Sequence, residues 1–588
     1  MADAGKTSVE AKGNVFSRRQ FLHRATALGT AGVLQWLTGC TTHPPPLSPS
    51  PSATEKPTST PTPQPSPTVP PEPTCTSIPD VPLFEEKGLA HIFVAHDPAL
   101  QGYPSSPPFD PDSHYPECPY APDDLAPDNG AYRLVREALR LMNPEGYGSA
   151  EWNPLSTIIQ PGDCVLIKPN LVDDSEWANG QTTHPAFLRP IIDYVYKACG
   201  PGGRILLADG PWAAGVFDRL VATTGIQSMI EHLAAAHGVP VVLKDLNKAS
   251  REATPLVDLG AVSELRAVER VWYDAHGEVM QEGGDPGLGR YRMAPSVLEA
   301  DVVICVPKAK VHCSGGVTLA MKNMLGIIPA WDGPHEQAVL KDCAHTSDVD
   351  RAAGEQGMYL DNDTIWRSIA DLNRILLYAD TQGILHPERQ RRYLAIVDGI
   401  VAAEESQYHP HPYPLNTVVI GTDPVTVDAV VARCMGFDPR LLKSVAKAAA
   451  RADFSLGPAH PSRVKVVVAG GEGVSTLYRH ALTPELHVFS WQGHLEANDF
   501  DPPEVLEWQW DAESGELQVV VRDPAGVAWV RVAYSYEGES RMKALQLSDG
   551  TSPEGRWRTP FPLGATVRQA TILTGDELFN EMAQEIAW

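Results

Sequence analysis

At 588 residues the chain is too long for a single hydrophobic core and long enough for two or three domains. Hydrophobic residues make up 43% of it and charged residues 20%, which predicts a globular body. The formal net charge of −26 argues against nucleic acid as a partner, and none is expected, because phosphate backbones are bound by basic faces. It also argues against electrostatic adhesion to anionic lipid, whereas a small anion stays compatible with a local basic pocket.

The N-terminus predicts an export signal and a lipid anchor. Residues 17–22 read Ser-Arg-Arg-Gln-Phe-Leu, which resembles the twin-arginine signal. A modestly apolar stretch over 25–37 follows, and residues 37–40 then resemble a lipobox whose Cys40 would carry the lipid. An ordinary basic N-terminus before a short helix is the alternative, and two independent motifs in the right order argue against it. We expect residues 1–40 to be a twin-arginine lipoprotein signal peptide, too short to span a bilayer permanently.

Residues 41–80 predict a disordered tether. From 41 to about 77 the composition is Pro, Ser and Thr with almost no aliphatic side chain, so too little apolar surface is available to offset the entropy of ordering. Polyproline character would extend this segment and lift the body off the membrane. The expected location is therefore extracytoplasmic, with the export machinery and the membrane as partners.

Cysteine usage favours core packing over a disulfide framework. Eight cysteines follow Cys40, and no C-x-x-C pattern occurs. Four of them lie in apolar segments and are predicted to be small core residues, namely Cys164, Cys199, Cys305 and Cys434. Twin-arginine substrates fold before export, which disfavours a disulfide-dependent core, although one bridge formed later stays open.

Residues 81–475 alternate short β-branched runs with helical patterns. The predicted strands cover 164–168, 204–208, 240–244, 301–306, 393–397, 417–420 and 464–469. The predicted helices cover 132–142, 185–199, 226–237, 364–379, 425–435 and 441–452. Strands that are apolar throughout, interleaved with amphipathic helices, predict an α/β fold with a mostly parallel sheet covered on both faces.

Residues 480–588 change to strict alternation of apolar and polar residues. The runs over 505–510, 516–522, 528–536 and 566–573 are separated by turns rich in Gly, Pro and Asp. This spacing predicts a small antiparallel β-sandwich of the immunoglobulin or fibronectin type. It holds no nucleophile or ligand cluster that we recognise, so an accessory or packing role is expected.

Polar residues follow four of the predicted parallel strands. In such sheets ligands bind beyond the carboxyl ends of the strands, so these residues are candidates for one crevice. Three lysines among them favour a shared site over chance exposure at strand ends. The residues are Lys168 and Asn170, Asp209, Lys308 with Lys310 and His312, and Asp398.

Several motifs together resemble one family. They are Lys168-Pro169-Asn170, Thr182-Thr183-His184-Pro185, the Asp209 turn, Lys308-x-Lys310-x-His312, Lys322-Asn323-x-x-Gly326, Asp371-Leu372-Asn373, Asp398-Gly399 and Asp423-Pro424 with Asp428. The chain is similar over about residues 160–470 to the family called domain of unknown function 362. Some members carry ferredoxin-like iron–sulfur segments, but the closely spaced cysteines of those segments are missing here, so the resemblance implies no such cluster. The Gly-Pro-rich stretch usual after the Asp398 turn is replaced over 404–411 by a different loop.

Three of these elements have structural alternatives. Lys322-Asn323 also fit the end of a helix, since Gly326 follows. Asp423-Pro424 fit an N-cap with proline at the first helical position, which is the favoured interpretation there. His409 and His411 have a spacing that suits metal ligands on an extended loop, but two prolines and the lack of a third ligand nearby favour chance.

The resulting hypothesis is an enzyme, or a former enzyme, acting on a small anionic ligand. The expected catalytic residues are Lys168, Asp209, Lys310, His312 and Asp398, and the expected ligand-binding residues are Asn170, Thr183, Lys308, Lys322, Asn323 and Asp423. Lysines would supply positive charge, and an aspartate would serve as base or metal ligand. The alternatives are a non-catalytic solute-binding lipoprotein and a redox protein, the latter disfavoured by missing cofactor motifs. The sequence does not identify a cofactor or a metal.

Overall fold

The computed structural model describes residues 88–587 apart from a set of segments. These are 123, 173–179, 212–215, 251–252, 266–271, 274–278, 282–288, 330–361, 406–409, 470, 473–488, 490–494, 498, 512, 537, 552 and 562–566. The signal peptide, the lipidation site Cys40 and the tether all lie outside the described residues, as does His409. They stay predictions.

The α/β part is built from β-branched strands and amphipathic helices. Its strands are β1 (Ala90–His96), β2 (Cys164–Pro169), β3 (Arg204–Asp209), β4 (Val241–Asp245), β5 (Leu256–Asp258), β6 (Trp272–Tyr273), β7 (Val279–Gln281), β8 (Arg290–Arg292), β9 (Val302–Val306), β10 (Lys308–His312), β11 (Gly316–Thr318), β12 (Arg392–Glu405), β13 (Pro410–Tyr413), β14 (Thr417–Gly421), β15 (Val464–Val468) and β16 (Gly471–Glu472). Its helices are α1 (Gly130–Met142), α2 (Pro185–Cys199), α3 (Val216–Thr223), α4 (Ile226–His237), α5 (Pro295–Leu298), α6 (Ala320–Asn323), α7 (Ile365–Tyr378), α8 (Pro424–Cys434) and α9 (Lys443–Ala449).

One large mixed sheet organises this part. Its main path runs β16-β15-β1-β14-β12-β9-β2-β3-β4, and β10, β11 and β13 attach beside β12. The central run β12-β9-β2-β3-β4 is parallel throughout, whereas β14 is antiparallel to β12. The carboxyl ends of the parallel strands therefore lie along one edge. The segment β9–β10, interrupted only at Pro307, follows β12 beyond that edge.

Helices cover both faces of the sheet, as all-apolar strands require. Alternate residues of one strand enter different cores: Leu166 packs in the core that contains α7 and α8, whereas Val165 and Ile167 pack in the core that contains α1 and α2. All three side chains are buried. The predicted cysteines are also core residues, since Cys164, Cys199, Cys305 and Cys434 are free and buried.

The C-terminal part consists of two antiparallel four-stranded sheets. Its strands are β17 (Glu504–Asp511), β18 (Glu516–Arg522), β19 (Val527–Tyr536), β20 (Glu539–Ala544), β21 (Gln546–Thr551), β22 (Glu554–Pro560), β23 (Gln569–Asp576) and β24 (Glu581–Ala587). The sheets have the orders β17-β18-β22-β21 and β20-β19-β23-β24. Inward-facing residues such as Val519 on β18 and Val532 on β19 share one core, which is the packing of a β-sandwich.

The predicted fold class is confirmed: a mostly parallel sheet with helices is followed by an all-β sandwich. Each strand and helix predicted between 132 and 469 is present, with ends that differ by three residues or fewer except at β12, which continues to Glu405. Four strands of the sandwich were missed, among them the edge strand β21, whose residues are all exposed and therefore carry no core pattern. Among the described residues, no helix is both long and apolar enough to cross a bilayer.

Candidate functional site

The ends of β2 and β3 join in a buried ion pair. Lys168 Nζ lies 2.6 Å from Asp209 Oδ1, and neither side chain is more than 4% exposed. The ammonium also donates to the carbonyl of Pro169 at 2.7 Å, and Asp209 Oδ2 accepts from the main-chain N–H of Leu171 at 2.8 Å. Because both charges are out of water, each depends on the other for compensation. The pair fixes the geometry of this edge.

Gly326 lies directly on this ion pair. A Cβ at this position would be 2.2 Å from Asp209 Oδ1 and 2.7 Å from Lys168 Nζ, closer than real contacts allow. The carbonyl of Gly326 accepts from the N–H of Gly210 at 2.8 Å. A glycine is needed here because backbone approaches a charged pair. The helix-end interpretation also holds, since α6 ends at Asn323 and a 3₁₀ turn over Met324–Ile327 follows.

Asn323 links the ion pair to the loop after β2. Its Oδ1 accepts from Lys168 Nζ at 2.9 Å and from Asn170 Nδ2 at 3.2 Å, while its Nδ2 donates to the carbonyl of Lys168 at 3.1 Å. Asn170 in turn exchanges hydrogen bonds with Thr183, whose Oγ1 accepts from the N–H of Asn170 at 2.9 Å. The buried Oδ1 of Asn170 accepts no hydrogen bond from the described residues. A ligand with a donor group would satisfy it.

A second ion pair lies between β10 and β12. Lys308 Nζ is 3.0 Å from Asp398 Oδ2, and both side chains are fully buried. Tyr103 completes the group, because its hydroxyl accepts from Lys308 Nζ at 2.6 Å and donates to the other carboxylate oxygen. The N–H of His184 donates to Asp398 Oδ2 at 3.1 Å. Every oxygen of Asp398 is thus engaged by the protein itself.

Burial sets the protonation states around this second pair. It lowers the pKa of Lys308, while the neighbouring Asp398 charge opposes that change. Burial also lowers the pKa of His184 well below its ordinary value, and the charge of Lys308 adds to this. His184 is therefore neutral at physiological pH, and its ring stacks on Tyr103 with centroids 4.0 Å apart. Burial raises the pKa of Tyr103, so the phenol keeps its proton.

The side chain of Lys310 contacts the segment 180–184, which is not part of a strand. Its Nζ donates to the main-chain carbonyl of Gln181 at 2.7 Å and to Gln181 Oε1 at 3.0 Å. This segment begins at Gly180, whose φ is +77° and where a Cβ would lie 2.4 Å from the carbonyl of Ala402. Three residues of this one short segment therefore contact Lys310, Asn170 and Asp398, and the segment organises the edge.

His312 ends β10 and supports the turn that follows. Its Nδ1 accepts from the N–H groups of Ser314 and Gly315, each at 3.2 Å. Because Nδ1 is an acceptor, a neutral ring carries its proton on Nε2. Alternation along β10 predicts one shared face for Lys308, Lys310 and His312, but the pairing of β10 with β12 shifts register between the two lysines.

Lys322 differs from the other lysines of the edge. It is only partly buried, and none of the described residues gives its ammonium a hydrogen bond or a carboxylate partner. Its side chain lies along the turn after β10, since a Cβ on Gly315 would be 3.2 Å from Lys322 Cδ. Loss of hydration lowers the pKa of Lys322 to about 8, and nearby Cys313 acts in the opposite direction.

Residues outside the edge hold the helix that carries Lys322 and Asn323. Asp428 on α8 accepts from the first N–H groups of α6, those of Ala320 at 2.8 Å and Met321 at 3.1 Å. Asn373 on α7 donates to the carbonyl of Met321 at 2.8 Å. Burial raises the pKa of Asp428 well above its ordinary value. These motif residues position the site without being part of it.

Asp423 does not join the other predicted site residues. It follows β14, which runs antiparallel to β12, and so lies toward the amino ends of the parallel strands. Its Oδ1 pairs with Arg389 at 2.6 Å. It occupies the N-cap position of α8, but its side chain makes no capping hydrogen bond. The expectation that Asp423 binds ligand with the lysines is corrected by this placement, which follows from the reversed direction of one strand.

Two further residues belong to the site and carry no sequence signal of their own. Tyr103 lies in the loop between β1 and α1, far from any motif, and only its tertiary contacts with Lys308, Asp398 and His184 reveal it. Gln181 directly precedes the Thr182-Thr183-His184 motif, and this adjacency was the one available hint. His411 lies on β13, which pairs with β12, and its Nδ1 is 3.1 Å from Glu404 Oε1.

The comparisons with known proteins agree with the motifs. A family model described as "Domain of unknown function (DUF362)" matches residues 165–275 and 259–433. The matched residues lie in the α/β part of the chain, which is thus similar to this family.

Among individual proteins, a thylakoid-associated protein of Synechocystis sp. is 23% identical over 294 residues, which cover 50% of this chain and 69% of that protein. A crystal structure of a protein from Thermotoga maritima aligns with a TM-score of 0.28 and 13% identity, over 50% of this chain and 55% of that one. The aligned region is thus little more than half the length of the Thermotoga protein.

Proposed function

We propose that this protein binds a small anionic ligand, a carboxylate or a phosphate, at the carboxyl edge of its sheet. The observation that carries the proposal is the ammonium of Lys322, which is partly desolvated and lacks a carboxylate among the described residues. A cation that loses water without gaining a counter-ion is costly, so a bound anion would repay that loss.

The lysine–aspartate pairs refine which groups are available to the ligand. Lys168 and Lys308 are each neutralised by an aspartate and held by further hydrogen bonds. They are therefore framework groups that shape the edge. Lys322 is the group that can exchange water for an anion, and Asn170 Oδ1 supplies a buried acceptor at the same edge.

Lys322 could also take part in a reaction at this site. A pKa of about 8 leaves about one tenth of the amine unprotonated at pH 7, far more than for an ordinary lysine, and a general base or nucleophile must be unprotonated. Turnover separates an enzyme from a solute-binding protein, because a binder releases its ligand unchanged.

The export and anchoring part of the proposal is supported by the sequence alone. The twin-arginine motif at 17–22 and the lipobox ending at Cys40 would place the body outside the cytoplasm on a lipid anchor. The Synechocystis relative is named for its association with a membrane system, and membrane attachment of this chain would agree with that name.

Binding is tested on the full chain by calorimetric titration with phosphate, sulfate, acetate, citrate and glycolate. We expect at least one anion to bind and Lys322→Met to weaken it by about tenfold or more, the loss typical of a charge-assisted hydrogen bond. Lys197→Met is the matched control, since Lys197 is a surface lysine that donates only to the carbonyl of Ala150 at 2.8 Å. Equal affinity in Lys322→Met and wild type would refute the proposed site.

A further inference from the structure

Three aspartates converge at one end of the sandwich. Asp523 follows β18, Asp576 ends β23, and Asp499 lies in the segment that leads into β17. One oxygen from each carboxylate lies within 4.8 Å of the others. The cluster joins three segments that are distant in sequence and is separate from the lysine edge.

The three side chains are buried, and two of their oxygens have no hydrogen-bond donor. Asp499 is 9% exposed, Asp523 is 1% exposed and Asp576 is fully buried. Asp523 Oδ1 accepts from the N–H groups of its own turn, those of Ala525 at 2.7 Å and Gly526 at 3.1 Å. Asp523 Oδ2 and Asp499 Oδ2 accept nothing from the described residues. Asp499 Oδ1 accepts from the N–H of Asp501 at 3.0 Å, so each of these two aspartates keeps one oxygen anchored and one oxygen open.

No Lys or Arg among the described residues forms an ion pair with this cluster, although acidic groups crowd together there. Arg433 is close, but it donates to the main-chain carbonyls of Asp499 at 2.9 Å and Leu578 at 2.7 Å. Like charges held this close in low dielectric require a cation or a proton.

We propose that Asp499, Asp523 and Asp576 bind a divalent cation of the calcium type. The donors are hard carboxylate oxygens, which suit Ca²⁺ or Mg²⁺ and not a thiolate- or imidazole-seeking metal. Oxygens on opposite sides of a Ca²⁺ ion are about 4.6–5.2 Å apart, because each lies about 2.3–2.6 Å from the metal. The spacing within the cluster fits such a shell, and Ca²⁺ tolerates the irregular geometry of three separate segments.

The bound cation would brace the sandwich against the α/β part. Asp576 Oδ1 accepts from the N–H groups of Leu578 and Asn580, each at 2.8 Å, and so shapes the turn after β23. Arg433 on α8 contacts that same turn through Leu578 and through Asn580 Oδ1 at 2.8 Å. Ordering the turn with Ca²⁺ therefore orders a contact between the two parts.

The test titrates CaCl₂ into the full chain after removal of metals with a chelator. We expect one Ca²⁺ per chain with a Kd of about 10⁻³ M or tighter, as in extracellular modules, and a higher melting temperature with Ca²⁺. Asp523→Asn keeps the shape but removes one charge, so its Kd should be at least tenfold weaker. Asp511→Asn is the control, because Asp511 is a sandwich carboxylate that serves only its own turn.

Several outcomes would overturn the assignment. They are no heat and no thermal shift up to about 10 mM Ca²⁺, tighter binding of Mg²⁺ than of Ca²⁺, or an unchanged Kd in Asp523→Asn. Asp576→Asn provides a second reading should Asp523→Asn fail to fold. The wild-type titration alone decides whether a calcium site exists.

Discussion

Replacing Lys322 by Met should stabilise the ligand-free protein at neutral pH. Met keeps the length and apolar stem of the side chain but removes the poorly hydrated ammonium. The pKa of Lys322 falls from 10.5 to about 8. A pKa difference of one corresponds to about 1.4 kcal/mol, so the full free-energy penalty on the charged ammonium would be about 3.4 kcal/mol. Because the side chain is partly exposed, solvent screens much of this, and we expect about 1–2 kcal/mol.

The same pKa gives the effect a definite pH dependence. The folded-state pKa of Lys322 is below its unfolded value, so between about 8 and 10.5 the unfolded chain holds a proton that the folded chain has lost. The contribution of Lys322 to stability therefore rises with pH across this window. The advantage of Lys322→Met is largest below pH 8 and shrinks toward zero above 10.5.

Urea denaturation of wild type, Lys322→Met and the control Lys197→Met at several pH values measures this directly. The control should stay within about 0.5 kcal/mol of wild type, as is usual for surface substitutions. A Lys322→Met protein that is less stable than wild type at neutral pH would show that the ammonium is stabilised in the free protein. A bound anion would then not be needed to offset the lost hydration of this ammonium.

Further substitutions test the framework and the N-terminus. Lys168→Met should cost about 3–5 kcal/mol in the free energy of unfolding because Asp209 is left buried and unpaired, and adding Asp209→Leu should restore much of that loss in denaturation curves. Gly326→Ala should cost about 1–3 kcal/mol or more, seen as a lower melting temperature, since its Cβ would overlap the same pair. Cys40→Ala should abolish fatty-acid incorporation, and Lys at both Arg18 and Arg19 should block export in cell fractionation; normal lipidation of Cys40→Ala would refute the anchor.

The fold was predictable because its strands and helices carry strong local patterns. A strand such as β9 is apolar throughout and β-branched, which only a sheet covered on both faces accommodates. The β10–β11 pair was missed for the opposite reason. Lys308, Lys310 and His312 look like a polar loop, yet β10 is a fully buried strand whose polar groups are satisfied by tertiary partners. Local sequence cannot show partners that lie about 90 to 205 residues away, such as Asp398 and Tyr103.

Strand direction limited what could be predicted about the site. Residues that follow strands meet at one edge only if all the strands are parallel, and this rule placed Lys168 and Asp209 at the same edge. Asp398 lies just beyond the pairing of β12 with β9, but inside β12 and not at its end. The rule failed for Asp423 because β14 is reversed, and nothing in a five-residue apolar strand reports its direction. The motifs identified the candidate residues, whereas the directions of the strands determined which of them lie at the same edge of the sheet.

Counting lysines overestimates how much positive charge a ligand meets at this edge. Lys168 and Lys308 each lie within 3.0 Å of an aspartate oxygen, inside the protein and not on separate surfaces. Neutralised pairs of this kind shape a site, but attract an anion only weakly because their fields largely cancel beyond the pair. The difference between framework and ligand-binding lysines is thus one of partners, not of sequence motif. By this criterion, Lys322 and the acceptor oxygen of Asn170 are the groups of this edge that are available to a ligand.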